Sequence, residues 1–191
     1  DSTFQKPPKP VGPYYTNEQA DALVREHGWV FKADPRGRGM RRVVASPKPV
    51  DINNWEIVER LAREGNIVIT VGGGGIPVIK NDQGEMEGID AVIDKDLASA
   101  TLAVKINADD FYILTDVPNV FINFNTPEQK KLETVGIPEI ERYLEEGHFT
   151  EGSMAPKVRA CIMFVKNGVK ESIITEATQL KNSDAGTKII S

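Results

Sequence analysis

One cysteine, Cys161, and two histidines, His27 and His148, are all that 191 residues hold of thiolate and imidazole metal ligands. A single cysteine excludes an internal disulfide and any cysteine-cluster zinc site. Two histidines leave a histidine-based metal centre short of donors. No apolar run approaches the roughly 20 residues that span a bilayer. No segment has the layout of a signal peptide. Positive charge is not in excess: 23 Lys and Arg against 28 Asp and Glu give a net charge of -5. That balance argues against generic nucleic-acid binding. Internal repeats and low-complexity tracts are missing as well. What is left, 40% apolar and 27% charged, is an ordinary globular composition suited to a reducing cytosol. The chain opens at Asp1 rather than methionine, and DSTFQKPPKP reads as the middle of something. The expectation is a piece of a longer protein.

The most informative stretch runs from Asn66 to Pro77, NIVITVGGGGIP. Its apolar part, Ile67-Val68-Ile69-Thr70-Val71, suits a strand buried on both faces, as in a parallel sheet. It breaks into Gly72-Gly73-Gly74-Gly75, where the backbone can turn tightly and a ligand can approach without meeting a Cβ. In open α/β sheets the ligand crevice lies at the carboxyl ends of the strands. The run is neither of the standard phosphate fingerprints. A plain connector is the structural alternative, against which the stiff Ile76-Pro77 argues.

The rest of the chain falls into two parts. Residues 1–49 have their own character. Lys6-Pro7-Pro8-Lys9-Pro10 is extended. Thr16 to Gln19 fits a capping box, Ala20 to His27 a helix, and Gly28 its C′ stop. Trp29 to Phe31 and Val43-Val44 read as strands around the loop Asp34 to Gly39. The segment is locally basic, with Lys9, Lys32, Arg36, Arg38, Arg41, Arg42 and Lys48. Anion attraction and solvated loop charge are both open readings of that cluster.

From Asp51 the pattern alternates between helix and strand. Ile52 to Glu64 has helical spacing. Pro77 to Lys80 and Glu85 to Ile89 flank a turn and read as a hairpin. Leu97 to Ile106 reads as a helix with Asp96 as its N-cap. Phe111 to Asp116 and Val120 to Ile122 read as strands. Pro138 to Glu146 and Ala155 to Val165 are helices, and Ser172 to Thr175 and Ile189-Ile190 strands. The fold class is α/β: a mainly parallel sheet sandwiched by helices, over residues 50–191, with a small protruding α+β lid subdomain over residues 1–49.

Four features should meet at one end of such a sheet: the glycine turn, Asp94-Lys95-Asp96, Thr115-Asp116, and Gly152-Ser153-Met154-Ala155-Pro156-Lys157. A helix N-terminus favours phosphate, and Ser153 and Lys157 both lie in the opening turns of one. Lys95 stands between two carboxylates that keep it charged and aimed. Phosphoryl transfer needs cations placed on the moving group and little else. Each residue taken alone has an ordinary explanation. Lys95 fits a surface ion pair, Lys157 a surface lysine, Asp96 a cap and Asp116 a strand end. Cys161 fits the core.

Taken together the motifs carry a resemblance. PPKPVGPYYT at 7–16, RRVVASPKP at 41–49 and VGGGGIPVI at 71–79 come first. GIDAVIDKDLAS at 88–99, YILTDV at 112–117 and GHFTEGSMAPKVRAC at 147–161 follow. In this order they resemble the carbamate kinases, of the amino acid kinase superfamily. The resemblance spans nearly the whole chain. The family's N-terminal part, with a glycine-Asn turn and a His-Gly-Asn-Gly-Pro loop, has no counterpart in it.

The resemblance implies transfer between ADP and carbamoyl phosphate, giving ATP and carbamate. Mg²⁺ is carried by the nucleotide phosphates, and no metal is held by the protein itself. Lys95 and Lys157 are then the cations on the transferred group, Asp96 orients them, and Lys9 closes over the anionic substrate. Thr115, Asp116, Val117 and Phe121 lie near the nucleoside, with Gly152, Ser153 and Met154. Gly72, Gly73, Gly74 and Gly75 form the substrate and phosphate loop. A cytoplasmic homodimer serving arginine or related nitrogen catabolism is also implied, with no nucleic-acid or membrane partner. Two departures fall in the lid: Met40 stands where the family has an aromatic, in a loop one residue longer, and Ala45 where proline is usual. Other readings are an amino acid kinase acting on an acylated amino acid or UMP, or a nucleotide-binding piece without turnover.

Overall fold

Capping and pairing decide the first elements. The computed structural model describes residues 2–168, 171–182 and 184–191. They form two compact units: one of residues up to Lys48 with Gly73–Asp94, the other of Pro49–Gly72 with Lys95–Ser191. The first unit also takes in the hairpin region that the sequence assigns to the second part.

In the first unit, β1 (Lys9–Tyr15), α1 (Asn17–His27), β2 (Val30–Ala33) and β3 (Met40–Val44) follow one another. Thr16 accepts from the Gln19 N–H, and the Gln19 side chain accepts from the Thr16 N–H, the reciprocal box read from sequence. Gly28 stops the helix in the left-handed conformation at φ 69°. The strands form an antiparallel sheet in the order β1-β3-β2, with Lys9 opposite Val44. Val43, Val44, Ala45 and Ala20 are buried, and Tyr15 meets Phe31 edge-on at 5.4 Å. The hairpin of β4 (Val78–Lys80) and β5 (Met86–Gly88) turns where expected. The Asn81 side chain there accepts from the Gln83 and Glu85 N–H groups. Ala91 then bridges in parallel to Ala45, and Val92 N–H donates to the Ala45 carbonyl at 2.9 Å.

In the second unit, α2 (Trp55–Arg63) is anchored at one end by Lys105, which pairs with Asp51 and lies over the Trp55 ring. After it come α3 (Lys95–Lys105), β6 (Tyr112–Thr115), β7 (Val120–Ile122), β8 (Lys130–Leu132), β9 (Thr134–Gly136), α4 (Ile137–Glu145), α5 (Met154–Lys166), β10 (Glu171–Glu176) and β11 (Thr187–Ile190). The four-stranded sheet has the order β6-β10-β11-β9. β6 and β10 are parallel, as are β11 and β9, while β10 and β11 are antiparallel. Its apolar face, with Ile113, Ile174 and Ile189, packs with α3, α4 and α5 into one core. Phe164 is fully buried there and lies 5.2 Å from the Phe111 ring. Removing such a ring costs about 3–5 kcal/mol. Buried Thr187 accepts from Val120 N–H and donates to the Leu132 carbonyl, tying the β7–β8 hairpin to β11.

Two expectations are corrected here. Ile67 to Val71 is not a buried strand. It is irregular, with Ile67 97% and Ile69 96% exposed. A strand buried on both faces needs a neighbour on each side, and among the described residues nothing pairs with this segment. Asp96 is not an N-cap. The helix already includes Lys95, so Asp96 sits inside its first turn.

Candidate active site

The second unit brings three of the sequence-selected residues together. Asp96 comes from the first turn of α3 and Lys157 from the first turn of α5. Small buried side chains, Ala98 on α3 and Ala155 and Ala160 on α5, leave little bulk between packed helices. Lys157 Nζ donates to Asp96 Oδ2 at 2.9 Å, across 61 residues of chain. Lys95 Nζ donates to Asp96 Oδ1, also at 2.9 Å. One carboxylate therefore uses both oxygens to hold two ammonium groups. The settings differ: the Lys157 side chain is 13% exposed and that of Lys95 54%.

Two lysine charges and the partial positive ends of two helices gather around the Asp96 carboxylate. Pro156 in the opening turn of α5 costs no hydrogen bond, since its N–H would be unpaired there. Gly152 turns the chain into that helix at φ 79°, and Ser153 precedes Met154 without a side-chain capping bond. Cys161, one turn beyond Lys157, is fully buried, and burial pushes its thiol up to about 12. It is a core residue, as its neighbours in the sequence suggest.

The nucleoside set has a local arrangement of its own. Thr115 ends β6, and its hydroxyl donates to Asp116 Oδ1 at 3.1 Å. Val117 follows, and Phe121 on β7 stands 6.0 Å from the Phe124 ring. The glycine run is divided, with Gly72 in the second unit and Gly73 to Gly75 in the first. Val71 takes φ 64° ahead of it, a left-handed conformation that is costly for a β-branched residue. Gly74 is buried at φ 131°, and a Cβ there would lie 2.1 Å from the Ile93 carbonyl oxygen. Glycine is required at that position by contact as well as by conformation.

Lys9, at the start of β1, donates to Asp94 Oδ2 at 2.8 Å within the first unit. The sequence reading gave Asp94 only to its neighbour Lys95 and did not pair it with Lys9, because 85 residues separate the two. Much of the basic cluster is paired within its own unit. Arg38 meets Asp34 with two nitrogens, at 2.9 and 3.0 Å, and Arg42 pairs with Asp90. The Arg38 guanidinium holds the Asp34 carboxyl down at about 2. These pairs reduce the free positive charge available to an outside anion.

The chain has known relatives. Residues 17–176 match the model of the amino acid kinase family. The carbamate kinase of Thermoplasma volcanium is 49% identical, over 100% of this chain and 62% of its own length. That of Clostridium perfringens is 48% identical, over 100% of this chain and 61% of its own. A crystal structure from Aeropyrum pernix K1 superposes at TM-score 0.92 with 46% identity, covering 100% of this chain and 62% of that one. Carbamate kinase from Giardia lamblia bound to AMP-PNP superposes at 0.87 with 43% identity, covering 100% and 61%. The chain thus spans about three fifths of the length of the relatives it matches.

Proposed function

The chain belongs to the amino acid kinase family, and we propose that the protein it comes from is a carbamate kinase, making ATP and carbamate from ADP and carbamoyl phosphate, reversibly. In that reaction a terminal β-phosphate oxygen of ADP attacks the phosphorus of carbamoyl phosphate. The bond from phosphorus to the carbamoyl oxygen breaks, and carbamate leaves with the electron pair. Negative charge spreads over the equatorial oxygens as the bonds exchange. Fixed cations that meet that charge lower the barrier without reorganising.

The observation that carries the proposal is Asp96 holding Lys157 and Lys95, each at 2.9 Å, at the opening turns of α3 and α5. Asp96 keeps both ammonium groups oriented, and the lysines supply charge to the transferring group. Lys9 is assigned to the carbamoyl phosphate side, in the unit read as the lid. Thr115, Asp116, Val117, Phe121, Gly152, Ser153 and Met154 are assigned to ADP, and Gly72 to Gly75 to the substrate and phosphate loop. Mg²⁺ is assigned as a companion of the nucleotide, on the resemblance. Among the described residues no group of three or more His, Cys, Asp or Glu side chains is placed to hold an ion. Magnesium bound mainly through substrate phosphates needs no such cage.

The remaining assignments rest on the resemblance: a cytoplasmic homodimer working in arginine or related nitrogen catabolism. No helix among the described residues is long and apolar enough to cross a membrane. The test is ATP formation by the full-length protein from carbamoyl phosphate, ADP and Mg²⁺, read by a coupled assay. Steady ATP production is expected. A folded, full-length preparation that makes none overturns the proposal.

A further inference from the structure

We infer that Asp94 is the positioning residue for Lys9, and that it sets where that ammonium points before substrate arrives. The inference rests on the carbamate kinase reading for its catalytic meaning, and on the geometry of the first unit for the pairing.

Register, not chance, brings the two side chains together. Lys9 opens β1 opposite Val44 on β3. The next residue, Ala45, bridges in parallel to Ala91 and accepts the Val92 N–H at 2.9 Å. Backbone pairing therefore places Ala91 and Val92 beside Ala45, the residue after the register partner of Lys9, with Asp94 two residues on. A second contact fixes the same segment. Gly74 packs so close to Ile93 that any side chain would meet its carbonyl oxygen at 2.1 Å. The residue after that carbonyl is Asp94, 8% exposed, and its Oδ2 accepts from Lys9 Nζ at 2.8 Å.

The charge pairing has a purpose beyond solubility. The Lys9 side chain is 28% exposed and that of Asp94 11%, so both are partly desolvated. A pair in that setting gives little net stability against apolar replacements, but it fixes geometry. A lysine stem has many rotamers, and one carboxylate at its tip selects among them. Asp94 also directly precedes Lys95 in the chain, so consecutive residues orient Lys9 and supply a proposed catalytic cation.

The experiment uses Asp94→Asn, Asp94→Glu, Lys9→Ala and the double variant Asp94→Asn with Lys9→Ala. Two readouts are taken. The first is the rate at which an amine-acylating reagent labels Lys9, by mass spectrometry, with Lys6 and Lys32 as internal references. Asp94→Asn is expected to change Lys9 labelling several-fold and leave the references unchanged, and Asp94→Glu to restore most of the original rate. Unchanged Lys9 labelling overturns the inference. So does a rise shared by all three lysines, which would mean a loosened unit rather than a broken pair.

The second readout is steady-state kinetics of the full-length protein. Asp94→Asn is expected to raise KM for carbamoyl phosphate about tenfold while KM for ADP stays within twofold. In the Lys9→Ala background its effect on KM for carbamoyl phosphate is expected to be far smaller than in the wild type, since the part that concerns carbamoyl phosphate runs through Lys9. Losses that multiply in the double variant overturn the inference. If the wild-type protein makes no ATP, the functional reading fails, and the labelling result still decides the pairing.

Discussion

Lys157 and Lys95 share one carboxylate at equal distance and yet sit in different media. Lys157 and Asp96 are 13% and 12% exposed, whereas Lys95 is 54% exposed. A charge in the first setting is screened little and depends on its partner. In the second, water and salt do much of the partner's work. The difference separates a duty that both lysines are proposed to share, placing charge on the transferring phosphoryl group, from one that only Lys157 should have, holding α3 against α5.

The largest effect is expected from Lys157→Ala. Loss of a preorganised charge of this kind lowers kcat about 10²–10³-fold. ADP binding should weaken far less, because the interaction is made mainly in the transition state. The same change leaves Asp96 buried without its cross-helix partner. A fully buried pair broken with nothing left on the carboxylate costs about 3–5 kcal/mol; Asp96 is partly exposed and keeps Lys95, so the expectation is about 2 kcal/mol at most. Activity assays, ADP titration and denaturant unfolding read the three quantities.

Lys95→Ala breaks the comparison if the two lysines are equivalent. It is expected to lower kcat about 10–100-fold, again with ADP binding nearly intact, and to change stability by less than about 0.5 kcal/mol. A loss of stability equal to that of Lys157→Ala would show that exposure does not separate them.

Cys161 reports on the buried side of the pair. Its thiol, pushed up to about 12 by burial, should resist alkylation in the native protein at pH 8. The Lys157 charge lowers the thiol's pKa and Asp96 raises it, so Lys157→Ala is expected to slow alkylation of the folded protein still further and Lys95→Ala to leave it unchanged. The sign of the pH dependence follows from the same burial. Unfolding lets the thiol ionise near its ordinary value of 9.0 while the folded state holds the proton to about 12. The contribution to stability is therefore whole below pH 9 and falls as pH rises toward 12.

The smallest expected effect is that of salt. Raising ionic strength shortens the Debye length to about 3 Å at 1 M. The kcat cost of Lys95→Ala should then shrink, while that of Lys157→Ala changes little. Parallel salt profiles for the two variants would erase the distinction.

How much of this the sequence carried depends on how local each signal is. The capping box at Thr16, the stop at Gly28 and the turn at Asn81 to Gly84 act within a few residues, and all appear where read. The long helix α5 announced itself by an unbroken apolar pattern. β8 and β9 did not, because they are three residues each and Lys130-Lys131 looks like loop. Ile67 to Val71 misled because composition reports a preference for burial, and burial itself requires neighbours. Lys95, Asp96 and Lys157 drew attention through their motifs, and the cross-helix bond of Lys157 to Asp96 follows from packing. The Lys9 to Asp94 bond was hidden, because sheet register creates it across 85 residues.

The central claim is that Asp96-held lysines meet the charge of a transferring phosphoryl group. Its most direct test is ATP formation from carbamoyl phosphate at saturating ADP and Mg²⁺, by full-length wild-type and Lys157→Ala proteins that are both shown to be folded. The expected result is steady turnover by the wild type and a kcat about 10²–10³-fold lower in the variant, with ADP affinity nearly unchanged. A variant that turns over at the wild-type rate would contradict the claim.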